Sequence, residues 1–365
     1  MDVSFNFCVI SYLSIITVGH SSEYIKTHEN LTKIPNDIPS NTLYLNLETN
    51  NIAQISQNDF KNLTALVELR LKSNDISMIE PGSFKNMINL KILILNHNNL
   101  AIIQKSVFQD LKSLHELHLI KNGLNSVEDG ALDMPFLEIL DLGLNKLKTF
   151  PDVSNLRNLK RLKLVHNRIA VQPNICQTLR SLETLQMRGN KIVSIPDELF
   201  HHCDRITFVD YKANQITSVK WISSLSPTVS TILVSNNQIS GNVPSTWFND
   251  LKNLKKLNLD GNQIDSFDFT CLSYLPKLKI LDLRDNQITF MEDPYVWCRG
   301  TSCSILEITA TGNTLPCNSS FCWDKHFSGI TLTRDDCFGK TWSAVTADDL
   351  QCEGQQKFLI NLVWK

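Results

Sequence analysis

An asparagine recurs at a nearly constant interval along this chain, always behind leucines spaced as in "LKILILNHNNL", residues 90–100. There Leu90, Leu93 and Leu95 precede Asn98, and Leu100 follows it. The template LxxLxLxxNxL, with other large apolar residues allowed at the leucine places, fits again at Leu66, Leu69, Leu71, Asn74 and Ile76. It fits a third time at Leu114, Leu117, Leu119, Asn122 and Leu124. Its asparagine falls at Asn50, Asn74, Asn98, Asn122, Asn145 and Asn167, and then at Asn190, Asn214, Asn237, Asn262, Asn286 and Asn313, in steps of 22 to 27 residues. A unit this short cannot bury its own apolar face, so the units must stack and share one core.

The polar residue follows from that stacking. Alternating leucines describe a short strand whose apolar side faces the shared core. Where the strand ends the chain turns inside that core, away from water. An apolar side chain there would leave backbone groups unpaired at roughly 1–3 kcal/mol each, whereas a buried amide can bond them. A ladder of buried asparagines is therefore expected. A second ladder lies six residues before each first leucine, at Phe60, Phe84, Phe108, Phe200 and Phe248, and a third lies three before it, as at Leu63 and Met87. These are packing positions of the opposite side. One strand per repeat, roughly 4.8 Å apart, set against bulkier connecting segments, bends the stack.

The pattern resembles the leucine-rich-repeat family. The resemblance implies an α/β solenoid, a horseshoe of about 12 repeats with a parallel concave β-sheet and an irregular or 3-10 convex side. Residues 1–20 read as a signal peptide, with an apolar run from Phe5 to Gly19 too short for the roughly 20 residues of a membrane span. Residues 21–41 are read as a cysteine-free N-terminal cap, 42–315 as the repeats, 316–352 as a cysteine-containing C-terminal cap and 353–365 as a short tail. Cys317, Cys322, Cys337 and Cys352, with Trp323 and Trp342 among them, resemble the four-cysteine C-terminal cap of extracellular family members. That resemblance implies the pairs Cys317–Cys337 and Cys322–Cys352. The ending looks most like secreted invertebrate members, among them the non-catalytic subunit of the decapod shrimp luciferase.

The remaining cysteines are read by position. Cys298 and Cys303 are a candidate pair in the enlarged last repeat. Cys176 takes a place in the phenylalanine series and Cys203 a leucine place one repeat on, so both are expected as buried thiols, with a rung-to-rung disulfide as the alternative. Cys271 has no evident partner. Sequons at Asn30, Asn62 and Asn318 agree with export and glycosylation.

Chemistry is not apparent. "GKT" at 339–341 lacks the glycine a phosphate loop needs at 334, which is Arg334. "HELH" at 115–118 has strand spacing and puts Leu117 in the core, and "HHCD" at 201–204 spends Cys203 on packing. No enzyme activity, cofactor or metal is expected. Net charge is −2 with both signs interspersed, and no basic stripe points to nucleic acid or heparin. The expected function is that of a secreted, non-enzymatic binding protein that recognises an extracellular protein or glycan through its concave face. The alternatives are a non-catalytic subunit that stabilises a secreted enzyme such as a luciferase, and a truncated cell-surface receptor ectodomain.

Concave positions are those between the leucines. Ile92, Ile94, Ile120, Ile139 and Val165 are apolar there, where water-facing residues are usual, and Phe208 and Leu233 form a lesser patch. Around the first group stand His97, Glu116, His118 and Asp141, and then Arg161, Lys163 and His166. An apolar cluster with a polar rim marks an interaction site. Its three histidines predict an affinity that changes between about pH 5 and 7.

Overall fold

The computed structural model describes residues 22–290, 307–310, 312–314 and 361–363. The signal peptide, the Cys317, Cys322, Cys337 and Cys352 cap, the Cys298–Cys303 pair and the Asn318 sequon lie outside the described residues.

Each leucine-x-leucine step produces a three-residue strand, beginning with Tyr44–Asn46, Glu68–Arg70 and Ile92–Ile94 and continuing through Ile280–Asp282 to Glu307–Thr309. These strands pair in parallel, one per repeat, within a 14-stranded sheet. Register is kept throughout: Leu45, Leu69, Leu93 and Leu117 are successive partners, followed by Leu140, Leu162 and Leu185. All of them are buried, so the middle residue of each strand faces the core and its two neighbours face the concave side. The fold is the leucine-rich-repeat horseshoe, with short 3-10 segments such as Lys220–Ser224 and Phe269–Tyr274 on its convex side. Two further strands lie at the ends of the sheet. Glu23–Ile25 extends it in parallel from Tyr44–Asn46, and Asn361–Val363 pairs antiparallel with Glu307–Thr309.

The asparagine ladder is present. Asn74 Nδ2 donates to Leu71 O in its own repeat at 3.1 Å and to Leu47 O in the preceding one at 2.9 Å, while its Oδ1 accepts from Ile52 N at 3.1 Å. Asn98, Asn190 and Asn286 repeat this set, and all twelve asparagines are buried. The residue before every one of them has positive φ, from Thr49 at 57° through Lys121 at 56° and Ala213 at 53° to Gly312 at 75°. A left-handed residue at that point aims the following amide into the core. Sequence reasoning missed this column because only Gly189, Gly261 and Gly312 in it are glycine.

One rung is incomplete. Asn122 Oδ1 is buried without a hydrogen-bond partner, although the pattern assigns it Leu100 N. On the convex side the same repeats separate. Gln54–Ile55 pairs with Met78–Ile79, and Ile102–Ile103 with Ser126–Val127, but the two pairs are not joined to each other. A cavity of about 230 Å³ opens between them, lined by Met78, Ile79, Leu100, Ile103 and Phe108 among others.

The phenylalanine series packs as a spine. Phe60, Phe84 and Phe108 stack at successive centroid distances of 6.0 Å. The expectation of buried thiols at Cys176 and Cys203 is overturned, because the two form a disulfide. The six-before and three-before columns of adjacent repeats lie side by side, which brings these Cα atoms to 5.2 Å, within bonding range. Cys271 is a buried free cysteine whose thiol burial pushes well up.

Candidate binding face

The concave face is ruled into columns by strand register. Ile92, Glu116, Ile139, Arg161 and Thr184 follow one another in one column, and Ile94, His118, Asp141, Lys163 and Gln186 in the next. Ile120, Gly143 and Val165 lie just beyond the strand ends, where Ile120 N donates to Asn96 Oδ1 at 2.8 Å. The structure thus places the predicted apolar residues on one face but interleaves them with polar ones. Glu116 separates Ile92 from Ile139, and His118 separates Ile94 from Asp141.

None of the five apolar residues is widely exposed; each is half-buried by its neighbours. Asp141, expected in the rim, is instead buried. Its Oδ1 accepts from Gly143 N at 3.1 Å, and Oδ2 lies 3.4 Å from Lys163 Nζ. Arg161, His97 and His166 are the exposed members of the rim, while Glu116, His118 and Lys163 are half-buried. In the lesser patch Phe208 is half-buried and Leu233 is buried.

Charge is organised within strands. His118 Nε2 meets Glu116 Oε2 at 3.0 Å, and this hydrogen bond holds the Glu116 carboxyl below the usual glutamate range. Desolvation lowers His97, with Lys121 and Lys72 adding repulsion, so it charges at lower pH than an ordinary histidine. Burial raises Asp210, against the pull of Lys212 beside it.

Sequence reasoning missed the neighbours on the N-terminal side. Glu68 and Arg70 stand in register with Ile92 and Ile94. Arg70 Nε bonds Glu68 Oε1 at 2.6 Å, and its guanidinium lies 5.1 Å from the centre of the Tyr44 ring. They occupy the same two offsets within their repeats as the isoleucines, which was the available signal. Asn30 and Asn62, the described sequon asparagines, are exposed. In "HHCD" the Cys203 sulfur is committed to the disulfide, while His201 and His202 point to solvent.

Comparison with known proteins agrees with this architecture. The leucine rich repeat family matches residues 64–124, 112–169 and 227–288. The chain is 27% identical to chaoptin of Drosophila melanogaster over 168 residues, which is 44% of this chain and 12% of chaoptin. It is 28% identical to mouse podocan-like protein 1 over 210 residues, 46% of this chain and 35% of that protein. This chain therefore spans only a minor part of these relatives. Among solved structures, a chain in the octameric complex of Latrophilin 3, Unc5D and FLRT2 (LRR) superposes with a TM-score of 0.67 at 25% identity, covering 81% of this chain and 91% of that one. Over the matched residues the chain is similar to the leucine-rich-repeat family, whose horseshoe fold it shares. Among the described residues no helix is long and apolar enough to cross a membrane.

Proposed function

We propose that the chain is a secreted, non-enzymatic binding protein that takes an extracellular protein partner on the concave face of its third to sixth repeats. The observation that carries the reading is the division of labour within each strand. The middle residue is committed to the core in every repeat, while the two beside it change from repeat to repeat without cost to the frame. In the third to fifth repeats those free positions hold Ile92, Ile94 and Ile139, flanked by the Tyr44, Glu68 and Arg70 cluster and by Arg161. Half-buried aliphatic residues beside a stacked arginine supply the anchors that protein interfaces use. The chain similar in fold from the octameric complex of Latrophilin 3, Unc5D and FLRT2 (LRR) was solved assembled with other proteins, which supports the same use here.

Ile94 stands between Arg70 and His118, so an aspartate there meets no carboxylate across the sheet. The double variant Ile94→Asp, Ile120→Asp should melt close to wild type and lose partner capture from extracellular fluid. A photo-crosslinking residue at Ile94 should label the captured protein, and one at the exposed convex residue Lys85 should not. Capture that survives the double change, with crosslinks arising equally from Lys85, sinks the concave reading.

A further inference from the structure

A chain of net charge −2 with interspersed signs gives no linear hint of a basic surface, yet the solenoid builds one. The strand-end edge of the fourth to seventh repeats is formed by residues 118–127, 141–150, 163–172 and 186–195. These stretches hold Lys121, Lys146, Lys148, Lys163, Arg168, Arg188 and Lys191, against a single carboxylate, Asp141. Asp141 is buried and turned toward Lys163. The backbone bonds prove the stacking: Lys146 N donates to Leu124 O, Arg168 N to Leu147 O and Lys191 N to Ile169 O, each at 2.8 Å. Lys146, Arg168 and Lys191 therefore occupy one place in three successive repeats. Lys121, Lys146, Arg168, Arg188 and Lys191 are exposed, and none makes a salt bridge among the described residues.

We infer that this edge binds a linear sulfated glycan. Repeats advance roughly 4.8 Å per strand, so the row from the fourth repeat to the seventh runs about 14 Å or more. A single phosphate or sulfate reaches one or two of these cations, whereas a chain carrying closely spaced sulfates meets each in turn. Several unpaired cations in line create a field that attracts such a polymer and is screened by salt. Single-stranded nucleic acid is the less suited polyanion, because it binds by stacking bases on aromatic rings. Phe150, the one Phe, Tyr or Trp in the four stretches, packs against the core, and the other rings there are the imidazoles of His118 and His166.

The test is titration of the purified chain with size-defined heparin fragments, at two salt concentrations, beside polyuridylate and polyglutamate of matched charge. Lys146→Gln/Arg168→Gln/Lys191→Gln should weaken heparin binding at least tenfold and flatten its salt dependence. The control Lys252→Gln/Lys255→Gln/Lys279→Gln removes the same charge from exposed lysines elsewhere and should change affinity less than twofold. In the wild type, heparin should shield Lys146 and Lys191 from chemical acetylation while Lys252 stays reactive, a readout that needs no variant. The inference is overturned by unchanged heparin affinity in the first variant, by equal losses in both, or by tighter binding of polyuridylate or polyglutamate than of heparin.

Discussion

Replacing one rung of the asparagine ladder tests how its bonds are shared. In Asn98→Leu the new side chain has nearly the old volume but no polar atoms. Ile76 N loses its acceptor, Asn98 Oδ1 at 3.0 Å, and is left buried and unpaired at about 1–3 kcal/mol. Of the three carbonyls it served, the two nearest fare better. Leu71 O keeps Asn74 Nδ2 at 3.1 Å and Leu95 O keeps Asn122 Nδ2 at 2.9 Å, so each loses one of two donors, a net cost of about 0.5–1.5 kcal/mol. The sum is about 2–6 kcal/mol. Asn122→Leu should behave differently. Its Oδ1 accepts nothing, and of its Nδ2 contacts the bond to Leu95 O is replaceable by Asn98 Nδ2 at 3.0 Å. Removing a buried unpaired oxygen offsets most of that loss, so the net effect should be near zero. Urea unfolding supplies the totals, and amide exchange supplies the location: Ile76 N–H should exchange much faster in Asn98→Leu. Equal destabilisation by the two substitutions, or unchanged protection at Ile76, would refute the shared-acceptor account.

The left-handed column predicts opposite outcomes for one exchange. Ala213→Gly should stabilise by about 0.5–1 kcal/mol in urea midpoints, since Ala213 sits at φ 53° with nothing but a methyl to lose. Gly189→Ala should destabilise, because its new Cβ falls onto the His166 ring at φ 70°. The disulfide spans 27 residues, so Cys176→Ala/Cys203→Ala should cost about 3 kcal/mol, and peptide mapping of the oxidised wild type should recover the linked pair. The raised folded pKa of Asp210 means its contribution is full below the ordinary aspartate range, about 3.9, and is lost as pH rises through the raised value. Asp210→Asn keeps the acceptor for Lys212 N and should therefore stabilise at pH 7 but not at pH 3.5; a gain that is the same at both removes burial as the cause.

The leucines, the asparagines and the phenylalanine spine were legible in the sequence because each answers to a constraint within its own repeat. What was not legible depends on two repeats at once. Cys176 and Cys203 occupy different columns and look unrelated until those columns are laid side by side. The orphaned Asn122 oxygen depends on where Leu100 settles, and LxxLxLxxNxL is satisfied on both sides of it. Lys146, Arg168 and Lys191 stand 22 and 23 residues apart among residues of both signs, and only the solenoid aligns them. On the concave face the pattern located the apolar residues but not their separation, because register decides that Glu116 falls between Ile92 and Ile139. The residues before the asparagines gave a faint signal, glycine at 189, 261 and 312 and asparagine at 236, too sparse to reveal that every one is left-handed.

The reach of the ladder has a genetic consequence. Asn74 Nδ2 bonds within its own turn and to Leu47 O, 27 residues back, and Asn98 does the same to Leu71 O, also 27 back. No amide reaches farther than the adjoining turn. Duplicating or deleting a whole period by unequal recombination therefore joins one satisfied rung to another, whereas gaining a single residue inside a strand misaligns the rungs on both sides. Genes for such a chain can lengthen or shorten by entire coding units without breaking the ladder. The periods of 22 to 27 residues differ in the segments between one asparagine and the next strand, where a change of one residue leaves the rungs in register.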